Sequence, residues 1–249
     1  MIPISVVVLA KNSALTIART LESLREFSEV IVYDNGSSDE TIDIAKSFSN
    51  VVLVEGEFRG FGWSKNRAAS YAKNEWILVI DSDEVPDSTL IETLRTTTLD
   101  EACVYKLNFK AFYKDTQIKH CGWNNQKIKR LYNKTKTGFN DNDVHENIIS
   151  EGFCEEVLDG SVEHYSYHSI SDFIIKSDRY SSLFAQNNKH KRASSPSKAF
   201  LNALYSFFRT YIIKQGFRDG YIGLVIAFSH MASNFYKYIK LYELNLEKK

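Results

Sequence analysis

The chain has 249 residues and a formal net charge of zero, 31 basic against 31 acidic, so no global field points to nucleic acid. It is long enough for one large α/β domain or two small ones with a full core. Three cysteines, Cys103, Cys121 and Cys154, are odd in number and lack C-x-x-C spacing; neither a zinc site nor a disulfide framework is expected, and a reducing compartment fits.

Taken in order, residues 4–10 form a β-branched strand that starts too early to leave room for a signal peptide. Lys11-Asn12-Ser13 follows as loop and cap, and Leu15, Ile17, Ala18, Leu21 and Leu24 mark a helix. A second strand at 29–33 ends in Asp34-Asn35-Gly36-Ser37-Ser38-Asp39-Glu40, and a helix begins at 41–46. A third strand at 51–55 and a third helix at 64–73 complete an alternation that predicts right-handed βαβ units on a parallel sheet. The turn after the first strand lacks the glycines of G-x-G-x-x-G, which argues against a dinucleotide oxidoreductase.

Everything converges on Trp76-Ile77-Leu78-Val79-Ile80-Asp81-Ser82-Asp83-Glu84. The apolar run reads as a strand buried on both faces, with carboxylates at its carboxyl end, where open α/β sheets bind ligands. Oxygen ligands so placed suit Mg²⁺ or Mn²⁺ bridging substrate phosphates; a strand end followed by an acidic helix cap is the plainer alternative. Asp34 with Gly36 offers a carboxylate to a base or ribose, or is a simple turn. Arg59-Gly60-Phe61-Gly62-Trp63-Ser64-Lys65-Asn66 brings glycines, cations and an amide to a helix N-terminus beside an anionic ligand.

Val7-Val8-Leu9-Ala10-Lys11-Asn12, the Asp34 to Thr41 run, Gly60-Phe61-Gly62-x-x-Lys65-Asn66 and the Asp81-Ser82-Asp83 strand end together resemble family 2 glycosyltransferases, inverting enzymes of the nucleotide-sugar-binding GT-A fold. The resemblance implies a donor site made by Ala10, Asn12, Asp34, Gly36, Lys65, Asn66, Asp81, Ser82 and Asp83. In it, Asp34 meets the uracil of a UDP-sugar, Asp81 lies near the ribose or donor sugar, and Asp83 holds the metal on the diphosphate.

In the second half, residues 103–112 and 127–132 read as half-buried strands, and Trp123 sits in a loop with a sugar site's mixture of side chains, or an ordinary turn at Gly122. Asp141, Asp143 and Glu146 are candidate bases beside His145, a candidate acceptor contact; Asp143 is preferred narrowly over Glu146 because it precedes apolar Val144. His164 is placed to reach the metal. Arg130-Leu131-Tyr132, Asp143-Val144-His145-Glu146, His164-Tyr165-Ser166-Tyr167 and Gly216-Phe217-Arg218-Asp219-Gly220 resemble a narrower group, the lipopolysaccharide-core β-glucosyltransferases acting on inner-core heptose. From residue 171 the chain reads as helical, with a polar break at 186–196 and no charge from Gly220 to Tyr236.

The resulting expectation is an α/β GT-A domain over 1–170 and a helical extension over 171–249, packed on that domain or lying in the membrane interface. No apolar run is long enough to span. The function expected is inverting transfer of a hexose, glucose foremost, from a UDP-sugar to a lipid-linked heptose at the cytoplasmic, inner face of the inner membrane. The rivals are a soluble transferase for another glycan or protein, and a catalytically silent nucleotide-sugar-binding scaffold.

Overall fold

The structure is a computed structural model that describes residues 1–123, 126–140 and 146–247. The chain forms two compact units: unit 1 is Met1–Phe109 with Asn125–His164, and unit 2 is Lys110–Asn124 with Tyr165–Lys249. The sequence predicts a single boundary at 170; instead residues 110–124 join the helices. The physical reason is a shared core: Tyr113, Ile118 and Cys121 pack with Phe173, Ile222 and Ile226.

In unit 1, β1 (Ile2–Ala10), β2 (Phe27–Asp34), β3 (Val51–Glu55) and β4 (Trp76–Val79) are parallel and lie in the order β3-β2-β1-β4. The order continues through β8 (Gln126–Asn133), β6 (Cys103–Tyr113), β9 (Cys154–Tyr167) and β5 (Glu84–Pro86), and β8 runs antiparallel to both β4 and β6. Strand side chains alternate between faces. Val6, Val8, Val30, Val32 and Leu78 therefore enter one core, and Val7, Ile31, Ile77 and Val79 another. Helices α1 (Ile17–Ser23), α2 (Thr41–Lys46) and α4 (Ser88–Thr96) contribute Leu21, Ala45, Leu90 and Leu94 to the first. Helix α3 (Phe61–Ala69) covers the second with Ala68 and Ala69. The small alanines let α3 approach the strands closely, which matters because its second turn carries Lys65.

The order β3-β2-β1-β4 reverses direction at β1: the chain leaves β1 for β2 and β3, then returns to β4 on the other side. Such a switch point opens a crevice at the carboxyl ends of the strands.

Cys103 and Cys154 are joined by a disulfide linking the starts of β6 and β9, and Cys121 is the free, buried cysteine. This corrects the expectation from cysteine count: an odd total and a separation of 51 residues hide a pair that only strand neighbours bring together.

Unit 2 adds β7 (Thr116–Ile118), antiparallel to the end of β6, and helices α5 (Ile170–Asn188), α6 (Pro196–Phe208) and α7 (Gly220–Leu246). A π-helical turn, Arg209–Ile213, and a 3-10 turn, Gly216–Asp219, join α6 to α7. Ser169 and Asp172 form a reciprocal cap on α5, and Ser195 caps α6 ahead of Pro196. Among the described residues no helix is long and apolar enough to cross a membrane.

Candidate active site

The crevice at the β1–β4 switch is built from three loops tied to one another. After β1, Asn12 takes a left-handed conformation (φ 51°), which asparagine tolerates better than most residues. Its backbone N–H donates to Ser37 Oγ at 2.9 Å, and its Oδ1 accepts from the Ser38 N–H at 2.8 Å. The carbonyl of Ala10 accepts from the Asn35 N–H at 2.9 Å. After β2, Asp34 Oδ2 accepts from the N–H groups of Gly36 and Ser37 at 2.9 Å each, and Ser37 Oγ donates to Oδ1 at 2.5 Å. The turn alternative is thus realised: Asp34 is buried and shapes its own loop, with Gly36 at φ +85°. A carboxylate has about four acceptor positions; three are taken. After β4, Ser82 Oγ lies 2.9 Å from Ser13 Oγ and the Ser82 carbonyl accepts from Thr20 Oγ1 at 3.0 Å, which closes the loop onto α1.

Charge is concentrated behind Asp81. Arg130, buried on β8, donates from one Nη2 to Asp81 Oδ2 at 2.9 Å and to Glu84 Oε1 at 2.6 Å. Glu84 Oε2 also accepts from the Asp81 backbone N–H at 2.8 Å. Burial opposes ionisation of Asp81, but Arg130 and Lys65 outweigh it and hold that carboxyl well below the usual range. Glu84 is fully enclosed, and burial pushes it up to about 7 despite Arg130. Sequence reasoning assigned neither Arg130 nor Glu84 a role. The available signals were a third carboxylate in Asp81-Ser82-Asp83-Glu84, and an arginine directly before the buried Leu131 and Tyr132.

Lys65 comes from the first turns of α3. Its Nζ donates to Glu146 Oε1 at 2.8 Å and lies 3.9 Å from Asp81 Oδ1, over the Phe61 and Phe139 rings. Gly62 permits this approach, since a Cβ there would sit 2.1 Å from the Asn140 carbonyl oxygen. Asn66, expected on the donor, commits both ends of its amide to the backbone of Phe139 at 2.9 Å, so it anchors the segment leading to Glu146. Asp141, Asp143 and His145 lie outside the described residues.

Asp83 Oδ2 and His164 Nε2 are 3.4 Å apart. Two ligands of one small cation with bonds near 2.1 Å stand roughly 3 Å apart. The pair therefore fits a Mg²⁺ or Mn²⁺ that takes its remaining ligands from water and phosphate. Burial works against the His164 imidazolium, but Asp83, Glu84 and Asp81 outweigh it and raise its pKa. A metal would displace that proton. Cys103, Cys154 and Glu156 also cluster, but the two sulfurs are bonded to each other. Trp123, expected on the acceptor, is a packing residue of unit 2: its ring stacks on Tyr167 and Phe173, with centroids 5.2 and 6.2 Å away.

The chain is similar to known proteins. The profile of glycosyl transferase family 2 matches residues 5–158, well over half of the chain. The chain belongs to glycosyl transferase family 2. It is a glycosyltransferase with the α/β GT-A fold of that family. An uncharacterized glycosyltransferase of Rickettsia prowazekii is 29% identical over 98% of this chain and 88% of its own length. The lipopolysaccharide core biosynthesis glycosyltransferase LpsC of Rhizobium meliloti is 24% identical over 97% of this chain and 93% of its own. Among solved structures, S. aureus TarS covers 86% of this chain and 45% of its own, with a TM-score of 0.47 and 18% identity. Glucosyl-3-phosphoglycerate synthase of Mycobacterium tuberculosis, solved with Mn²⁺ and UDP, covers 45% of this chain and 43% of its own, with a TM-score of 0.33 and 27% identity.

Proposed function

We propose that this family 2 glycosyltransferase moves a hexose, glucose as first choice, from a UDP-sugar to a heptose of the lipopolysaccharide inner core, with inversion. The observation that carries the reading is the cluster at the β1–β4 switch, in which Asp81 and Asp83 stand beside Lys65, Arg130 and His164. The near full-length similarity to a relative named for lipopolysaccharide core biosynthesis supports the acceptor class. An acceptor of that kind is lipid-linked, which puts the enzyme at the cytoplasmic face of the inner membrane as a peripheral protein.

Asp83 and His164 would hold Mg²⁺ or Mn²⁺, which when bound neutralises charge on the departing diphosphate. Lys65 is a buried cation in the same crevice and adds to that field. Asp81, kept ionised by Arg130 and Lys65, would accept hydrogen bonds from hydroxyls of the ribose or donor sugar. Inversion needs a carboxylate opposite the leaving group to take the acceptor hydroxyl proton. Asp143 and Glu146 are the candidates, and Glu146 stands beside Lys65 on the donor edge.

The role of Asp83 is tested by turnover of Asp83→Asn with and without chelator. The expected loss is at least about 10²-fold, together with abolition by chelator in the wild type. Wild-type turnover that survives chelation, or a variant within about threefold of wild type, would remove Asp83 from the diphosphate.

A further inference from the structure

The outward face of an ordinary surface helix is polar. Helix α6 and the π-helical turn that continues it break this rule. Their inward residues Ala199, Ala203 and Thr210 are buried, whereas the outward positions recur at 200, 201, 204, 205, 208, 209, 212 and 213. All of these except Arg209 are large and apolar, and Leu201 is 64% exposed. A second stripe follows on the 3-10 turn and α7: Phe217, Tyr221, Leu224 and Phe228, spaced to share one helix face, with Tyr221 69% exposed. The two stripes adjoin. The Phe228 ring is 5.0 Å from Phe207 and the Phe217 ring 6.3 Å from Tyr211. A continuous apolar surface of this kind on a soluble chain marks a docking site.

Charge decides what docks. From Pro196 to Gly220 the cations are Lys198, Arg209, Lys214 and Arg218, and the lone acid is Asp219. That carboxylate is enclosed: it accepts from the N–H groups of Lys119 and His120 at 3.2 and 2.8 Å, and from His120 Nδ1 at 2.8 Å. Its side chain is 4% exposed. The surface therefore presents aromatic and aliphatic groups with positive charge alone. That is the pattern of a helix lying in the plane of an anionic bilayer: apolar side chains enter below the headgroups and cations pair with phosphates. No helix of the described residues spans a membrane, so the mode is lying on rather than crossing.

We infer that the outward face of α6, its π-helical turn and the first half of α7 is a docking surface for an anionic lipid bilayer. This gives the membrane location proposed above a specific surface, but it is drawn from unit 2 alone, independently of donor and acceptor.

The test uses the full chain, sedimented with phosphatidylcholine vesicles with and without phosphatidylglycerol. Wild type should bind the anionic vesicles and be released by high salt. Leu204→Glu/Phe208→Glu should lower the partition coefficient at least about tenfold. Because both positions are exposed and glutamate is a good helix former, circular dichroism and UDP binding should not change, which separates failure of the surface from failure of the donor site. Arg209→Glu should weaken binding at low salt. Three results would overturn the inference: wild type left in the supernatant, the double variant sedimenting like wild type, or a dimer dissolved by the same substitutions without vesicle binding. Equal binding to neutral vesicles would overturn its electrostatic part.

Discussion

Replacing Arg130 with methionine keeps much of the side-chain volume and removes the charge that two carboxylates share. Arg130 Nη2 bridges Asp81 and Glu84, and Glu84 has no exposure to water. Without the guanidinium, Glu84 keeps the Asp81 N–H at 2.8 Å and little else to balance its charge. Stranding one partner of a buried pair costs about 3–5 kcal/mol. A second route gives a similar figure: a carboxyl with an ordinary value of 4.5 takes up a proton at pH 7 for about 3 kcal/mol. Arg130→Met should therefore lower the melting temperature by roughly 6–20 °C, at about 2–4 °C per kcal/mol for a chain of this size. Adding Glu84→Gln removes the stranded charge while the amide oxygen still accepts from Asp81, so the double variant should recover at least half of the loss. Urea and thermal denaturation of the four proteins make a double-mutant cycle. A single variant within about 1 kcal/mol of wild type, or a double variant no better than the single, would refute the view that Arg130 balances Glu84.

Stability should depend on pH through Glu84. Its folded pKa, about 7, exceeds its ordinary value of 4.5, so its contribution is complete below about pH 4.5 and is lost as pH rises through 7. Glu84→Gln should flatten the fall in that window, and an unchanged denaturation profile would contradict the assignment. Asp143→Asn should cost about 10²- to 10⁴-fold in turnover with UDP binding intact, as a base acting in the transition state requires. If Asp143→Asn keeps its rate and Glu146→Gln loses it, the base is Glu146. Asp34→Ala should weaken UDP binding in calorimetry, and Asp34→Asn less so, because the amide retains one acceptor oxygen for the Gly36 and Ser37 N–H groups; equal affinity in all three would detach that loop from the nucleotide.

Much of unit 1 was legible because its strands are unbroken β-branched runs. The start of α2 and both limits of β3 match the sequence expectation, and β4 is legible from its apolar run and the carboxylates at its end. The errors have local causes. Gly60 and Gly62 made the start of α3 look like loop, yet the helix begins at Phe61, after Gly60 at φ +91°. Strand β9 was not expected because its first half carries exposed Glu155 and Glu156 and its middle holds Asp159-Gly160, which reads as a turn. The Cys103–Cys154 pairing and the approach of His164 to Asp83 both depend on β9, which the residue pattern does not reveal; the expectation that His164 reaches the metal rests only on its following an apolar-containing segment. The roles of Arg130 and Glu84 are hidden in the sequence, since spacing alone does not reveal that two carboxylates converge on one guanidinium. Residues 110–124 belong to unit 2 through tertiary packing of Tyr113 and Ile118, which spacing along the chain does not show.

The central claim is transfer of a hexose from a UDP-sugar to a lipid-linked heptose, and product mass tests it most directly. The full-length protein, with Mg²⁺ or Mn²⁺, is offered a panel of nucleotide sugars and a heptose-containing core lipid. The account predicts one added hexose on the acceptor and stoichiometric release of UDP, largest with UDP-glucose and absent in Asp83→Asn. Transfer from a donor that is not a uridine diphosphate sugar, or an acceptor that gains mass only when heptose is missing, would contradict it.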